Sequence, residues 1–410
     1  PPDGNHLEES GGDGGMKWEK VKLGELYEVH NGLSKAGKFF GEGYPFLTFS
    51  TVFNNYFIPK QITDLVQSTE KEQESYSIRR GDVFVTRTSE TSDELGMSCV
   101  ALKDYPMATY NGFTKRMRPI TNRVFPEYIG YYMRLPSFRG EFRAFSTMTT
   151  RASLRNEDLL GLEVKLPSIE IQKQIADILS AYDDLIENNQ KQIKLLEEVA
   201  QRLYKEWFVN LRFPGHENTK IVDGVPEGWN EKTLSQVANV IMGQSPKSEF
   251  YNSEKKGLPF HQGVGSYGVR FVMDDIYSTS YTRIAEPNSI LFSVRAPVGR
   301  LNVTKNKVVI GRGLAAINQT DGCQSYLYYL LKNKFFKDNI VGNGSIFASV
   351  SKDELLNQKF LIPERNLMMQ FEKIVSQMDK QIENLDSKNK KLIEARDRLL
   401  PKLMSGEVEV

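Results

Sequence analysis

Two stretches of the chain repeat their apolar positions with a period that neither a strand nor a simple surface helix produces. Ile175, Leu179, Tyr182, Ile186, Asn189, Ile193, Leu196, Ala200, Leu203 and Trp207 advance in alternating steps of four and three. Phe371, Val375, Met378, Ile382, Leu385, Asn389, Leu392, Arg396, Leu399 and Leu403 do the same. A sustained 3.5-residue period predicts coiled-coil helices, because only supercoiling keeps such a stripe facing a partner. At 1.5 Å per residue each would span roughly 55–60 Å. The natural partner of each is the other, paired antiparallel. Ile175 facing Leu403 and Trp207 facing Phe371 would then place Asn189 opposite Asn389, the only asparagine in each seam. A buried amide costs stability but penalises every slipped register, so this pair is expected to fix the register.

Each predicted helix follows a segment of short, β-type apolar runs. YPFLTFSTV (44–52), DVFVTRTS (82–89), GLPFHQGV (257–264), SILFSVRA (289–296) and KVVIGRGLAAI (307–317) are β-branched or aromatic and bounded by turn residues. PEYIGYYMRL (126–135) and QSYLYYLLKNKFF (324–336) have helical spacing, and their tyrosines read as core residues rather than a base-stacking platform. SLRNEDLLGLEVKLP (153–167) matches SVSKDELLNQKFLIP (349–363), and WEKVKLGELYEVHNG from Trp18 matches WNEKTLSQVANVIMG from Trp229. Two tandem copies of one domain-plus-helix unit follow from that repeat. The expected fold is α/β, mixed α+β, with the two long helices pairing antiparallel and a pseudo-twofold axis relating the copies. The expected divisions are a tag or flexible tail (1–15), a first domain (16–167), a helix (168–209), a linker (210–228), a second domain (229–363), a second helix (364–404) and a short tail (405–410).

Composition narrows the chemistry. The 410 residues include only two cysteines and four scattered histidines, so neither a disulfide scaffold nor a structural zinc site is expected. No run approaches ~18 apolar residues and no leader pattern opens the chain, which points to a cytoplasmic protein without membrane contact. GLSKAGKF (32–39) imitates a phosphate loop, but Phe39 stands where a magnesium-binding hydroxyl is needed. GVGSYG (263–268) imitates a dinucleotide loop, but a strand-like VRFV follows instead of a helix. No nucleophile elbow, zinc-protease helix or amino-methyltransferase signature occurs. The chain reads as a binder without a catalytic centre, metal or cofactor of its own.

The net charge of +1 hides an uneven distribution. Residues 16–155 carry 20 Lys/Arg against 15 Asp/Glu, and residues 229–355 carry 15 against 10. Between Phe113 and Arg155 nine basic residues face two acids, and Arg295, Arg300, Lys305, Lys307 and Arg312 form a run without any acid. Arginine-rich clusters beside the hydroxyl-rich STMTTRAS (146–153) suit phosphate and guanine recognition. Two basic domains joined by long helices favour duplex DNA over the ordinary meaning of a charge run, a solvated face.

RLYKEWFVNLRFPG (202–215), GVPEGW (224–229), RDRLLPKLMSG (396–406) and, in the second domain, MGQSPKSEFYN (242–252), GLPFHQGVGSYG (257–268), ILFSVRAPVGRLN (290–302) and VVIGRGLAAI (308–317) resemble segments of a known family. That family is the specificity (S) subunits of type I restriction–modification systems. The resemblance spans 16–410 in order; the first domain departs most, at RRGDVFVTRTSETSDELGMSCV (79–100). It implies that each domain reads one half of an asymmetric bipartite DNA target. It also implies that the helices act as spacer and docking platform for two methyltransferase subunits and for restriction subunits. S-adenosylmethionine, ATP and Mg would belong to those partners. By analogy, Thr88, Ser89, Thr114, Lys115, Arg116, Thr150 and Arg151 would contact DNA in the first domain. In the second, Gln244, Ser245, Gln262, Ser293, Arg295, Arg312, Ser345 and Phe347 would do so. The rival readings are a nucleotide-using enzyme built on Gly32–Lys38 and a helical scaffold that binds DNA without sequence preference.

Overall fold

A computed structural model of the chain describes residues 18–89, 94–144, 152–335 and 349–410. They form two compact units, one of residues up to Asn188 plus Lys388–Val410, the other Asn189–Ser387. The two units have the same internal plan. In the first, a four-stranded antiparallel sheet runs in the order Tyr27–Asn31, Thr114–Pro119, Val83–Thr86, Ser98–Val100. In the second the order is Ala238–Met242, Leu314–Gln319, Ile290–Ser293, Leu301–Val303. The strands VFVT and ILFS are buried at every residue, which explains why each opens with three consecutive apolar residues.

A second pairing repeats as well. Phe46–Leu47 runs parallel to Thr109–Tyr110, and Phe260–His261 runs parallel to Val309–Ile310. Each unit is tied off by a strand pair, Glu19–Lys22 with Glu163–Leu166 and Asn230–Thr233 with Lys359–Ile362. In Glu163–Leu166 and Lys359–Ile362 exposed and buried residues alternate, the mark of a ribbon with one face on the core. The short helices Pro126–Tyr132 and Gln324–Phe335 bury Tyr128, Tyr131, Tyr326 and Tyr329 almost completely, so these tyrosines are core. A single 3-10 turn, Gly37–Phe39, leads into a strand, Phe40–Leu47, and no α-helix starts where a phosphate loop would need one.

The long helices span Ile169–Tyr204 and Arg365–Ser405. Inside the first unit, Ile175 and Leu179 share a core with Leu400, Leu403 and Met404, while Asn389 Nδ2 donates to the Ile186 carbonyl at 3.4 Å. Inside the second, the Trp207 ring lies 5.9 Å from Phe371, the partner expected from the seam pattern. In both units the helices therefore pack antiparallel. A π-turn at Lys205–Val209 ends the first long helix and turns both Trp207 and Phe208 inward. Asn189 and Asn389 are both buried, at 9% and 7% exposure.

Phe371 is the hub of the second core, with its ring within 5.2–6.3 Å of Tyr204, Trp207, Phe208, Tyr326 and Tyr329. Phe371→Ala should cost about 3–5 kcal/mol. Leu195→Ala, at a residue 59% exposed, should stay within about 0.5 kcal/mol of wild type. Thermal denaturation of the two variants checks this; equal losses would mean that Phe371 is not a core hub.

Candidate nucleic-acid interface

In the second unit, backbone hydrogen bonds draw five sequence-distant segments to one place. Gly243 N donates to Leu314 O at 2.8 Å and Gln244 N to Ile310 O at 2.9 Å. Gly311 N donates to His261 O at 2.8 Å, Gly313 N to Gln262 O at 3.2 Å, and Val294 N to Gly313 O at 2.9 Å. Val350 N closes the set on Val294 O at 2.8 Å. A Cβ on Gly243 would overlap the Gly311 carbonyl, so the approach requires glycine there. On this frame Gln244, Gln262, Arg295 and Arg312 are exposed. Ser245 Oγ donates to Gln262 Oε1 at 2.8 Å and accepts from Arg312 N at 3.1 Å. Gln262, Ser293, Arg295 and Gly313 line one small cleft. Amide, hydroxyl and guanidinium groups held this way can pair with base edges or phosphates.

Ser293 has another role. It is 1% exposed, its Oγ donates to Pro297 O at 2.6 Å and accepts from Arg300 N at 2.8 Å, and it shapes the turn that carries Arg295. His261, absent from the sequence expectations, lies fully buried beside Gln262. Its Nδ1 is 2.8 Å from Ser266 Oγ and its Nε2 3.2 Å from Asp274 Oδ1. Both ring nitrogens are engaged, so His261 ties the strand end to the loop beyond Gln262.

The first unit repeats the frame with different side chains. Leu33 N donates to Tyr110 O at 2.8 Å, Gly32 N to Thr114 O at 3.2 Å, Asn111 N to Leu47 O at 3.0 Å and Arg87 N to Phe113 O at 3.0 Å. Thr88 and Ser89 pair antiparallel with Ser153 and Ala152, as Arg295 pairs with Ser349. Thr114, Lys115 and Arg116 belong to the central strand and are 0–5% exposed. Thr114 Oγ1 donates to Asn111 O at 2.7 Å. Lys115 Nζ donates to Asn31 and Asn156, and burial, with Arg87 nearby, lowers its pKa. Arg116 donates to Ser77 O at 2.7 Å and lies 5.5 Å over the Tyr110 ring; burial disfavours its charge. Their counterparts in the second unit are Leu314, Ala315 and Ala316, which are pure core. The side chains at this surface in the first unit are instead Phe113, 61% exposed, and the half-buried Thr48 and Arg87. Phe113 had no sequence signal: it matches Gly313 only through the strand registers, not through the offset that relates Gly32 to Gly243. Thr150, Arg151, Ser345 and Phe347 lie outside the described residues.

Much of the expected basic patch is internal. Arg134 donates to the carbonyls of Val52, Asn55 and Ser98, and Arg118 pairs with the buried Asp82 at 2.7 Å. Lys305 pairs with Asp386 at 2.6 Å, and at the surface Lys307 pairs with Glu286 at 3.0 Å. The density of basic residues therefore overstates the free positive charge, because many of them satisfy carbonyls and buried acids. Among the described residues no group of His, Cys, Asp or Glu is placed to hold a metal ion, and no helix is long and apolar enough to cross a membrane.

Comparison with known proteins agrees with this organisation. Residues 16–198 and 226–395 match the family described as type I restriction modification DNA specificity domain. The type I restriction enzyme MjaIX specificity subunit of Methanocaldococcus jannaschii is 26% identical over 412 residues, covering 96% of this chain and 94% of the relative. The HindI specificity subunit of Haemophilus influenzae is 24% identical over 474 residues, covering 95% and 99%. The crystal structure of a type I system S subunit from M. genitalium superposes with a TM-score of 0.57 at 17% identity, covering 95% of this chain and 97% of that one. The chain belongs to the family of type I restriction–modification DNA specificity domains. Its function is DNA sequence recognition as a specificity subunit, a non-catalytic component that works with other subunits of such a system.

Ser293 and Arg295, two residues apart, should separate cleanly. Ser293→Ala leaves the Arg300 amide without its acceptor and should cost about 1–3 kcal/mol of stability. Arg295→Ala, at an exposed position, should change stability by no more than about 0.5 kcal/mol. Chemical denaturation of both variants reads the difference, and an unaffected Ser293→Ala would contradict the turn-shaping role.

Proposed function

We propose that each compact unit reads one half of an asymmetric, split target in double-stranded DNA. The observation that carries this reading is the repeated hydrogen-bond frame with dissimilar side chains on it. Gln244, Ser245, Gln262, Arg295 and Arg312 stand on the second frame; Thr48, Arg87 and Phe113 stand on the first. Equal frames with unequal donors and acceptors suit equal docking on unequal half-sites. The long helices serve as the spacer between the two half-sites. They are also the platform for two methyltransferase subunits and for restriction subunits. The partners bring S-adenosylmethionine, ATP and Mg, and the assembly works in the cytoplasm as an adenine-N6 methyltransferase and endonuclease.

Mapping N6-methyladenine across the genome of cells expressing this chain with its methyltransferase partner tests the reading. A split asymmetric motif that disappears when the chain is omitted is the expected result. Arg295→Ala should relax one position of the second half at a cost of about 1–3 kcal/mol, roughly 5- to 150-fold in affinity. Uniform weakening over all sequences would assign Arg295 to a phosphate instead. Steep salt dependence with no sequence preference would favour a scaffold that touches only the DNA backbone.

A further inference from the structure

The two units solve one problem of seating in opposite ways. Asp183 and Asp379 are repeat-related, each lying 16 residues beyond the proline that ends its module, Pro167 or Pro363. Tyr56 and Arg270 are likewise equivalent. Val100 N donates to Tyr56 O at 2.9 Å, Val303 N donates to Arg270 O at 2.9 Å, and the next residues, Phe57 and Phe271, bridge Val100 and Val303 in parallel. Arg396 and Ala200 form a third equivalent pair, each 33 residues beyond that proline.

In the first unit the module presents Tyr56 and the second long helix supplies the guanidinium. Arg396 pairs with Asp183 and lies 5.3 Å over the Tyr56 ring, while Tyr131 OH donates to the other carboxylate oxygen at 2.6 Å. In the second unit the helix position is Ala200, fully buried, and the module supplies the guanidinium. Arg270, 5% exposed, donates to Asp379 at 2.8 Å, lies 3.7 Å from Glu197 and stacks 3.4 Å over the Tyr328 ring. One arginine meets the repeated aspartate in each unit, from the helix in one and from the module in the other.

We infer that Arg396 and Arg270 are positioning residues that seat each DNA-reading module on its own stretch of the helices, and that their opposite origin bars exchange of the modules. A module bearing tyrosine, set on the Asp379 stretch, would leave that carboxylate without a cation beside Ala200. A module bearing arginine, set on the Asp183 stretch, would bring two guanidinium groups to one carboxylate. Both arrangements are penalised, the first by an uncompensated, largely buried charge and the second by like-charge contact. The role in DNA reading rests on the proposed function above; the seating itself does not.

A double-mutant cycle on the full-length chain tests the seating without DNA. Arg270→Met should lower Tm on the order of 10 °C, because it strands Asp379. Asp379→Asn should lower Tm in the wild-type background and raise it in the Arg270→Met background. An equal loss in both backgrounds overturns the proposal. As a second arm, Ala200→Arg is combined with Arg270→Tyr to rebuild the first unit's arrangement in the second. The double variant should melt above Arg270→Tyr, whereas Ala200→Arg alone should melt below wild type. A double variant no more stable than Arg270→Tyr also overturns the proposal. In methylation mapping, Arg270→Met should relax one half of the target only, and equal relaxation of both halves would refute a role in seating one module. If the thermal cycle succeeds and no split motif exists, the seating stands and the DNA reading fails.

Discussion

Everything in this chain depends on the fact that neither long helix can bury its apolar stripe alone. A helix with an apolar position at every third and fourth residue has a face that water solvates poorly, and a second helix of the same period covers it. The antiparallel packing seen inside each unit provides that cover: Ile175 and Leu179 with Leu400 and Leu403, Trp207 with Phe371. The modules are then fastened to the helices rather than merely linked to them. The ribbons Glu19–Lys22/Glu163–Leu166 and Asn230–Thr233/Lys359–Ile362 end only a few residues before each helix begins. A module surface attached so directly inherits its position from the helix it adjoins.

Duplication explains why a chain with two different surfaces has one architecture. The four-stranded sheets have the same strand order, and bonds that hold the frame recur: Gly32 to Thr114 and Gly243 to Leu314, Leu33 to Tyr110 and Gln244 to Ile310. Those bonds use backbone atoms only. Side chains on the frame can therefore change without loosening it, as Leu33 against Gln244 illustrates. Side chains beneath it are constrained, and where one changes another compensates, as with Tyr56 and Arg396 against Arg270 and Ala200.

The helices and the repeat were legible in the sequence because periodicity survives any choice of individual side chain. The seam positions predicted Trp207 against Phe371, and the glycine-bounded apolar runs located the central strands. Individual contacts were less legible. Lys115 and Arg116 look like a DNA patch in sequence, yet they occupy a strand whose counterpart is Ala315 and Ala316, and their charges are absorbed by Asn31, Asn156 and Ser77. Charge density does not reveal direction, and alternate residues of a strand point to opposite faces. His261 was passed over for the converse reason: a lone histidine carries no sequence signal until its partners Ser266 and Asp274 fold onto it.

The separation between buried frame and exposed side chain also bears on how this surface can change. Ser293 and Arg295 are neighbours on one turn, but the first is enclosed by Pro297 and Arg300 and the second points to solvent. A substitution at Arg295 alters what the surface can pair with and leaves the fold's hydrogen bonds intact. A substitution at Ser293, or at Gly243 where a Cβ would strike the Gly311 carbonyl, distorts the frame that carries the exposed side chains. Specificity can therefore drift one side chain at a time across the frame, while exchange of a whole module must also satisfy the arginine–aspartate contact beneath it.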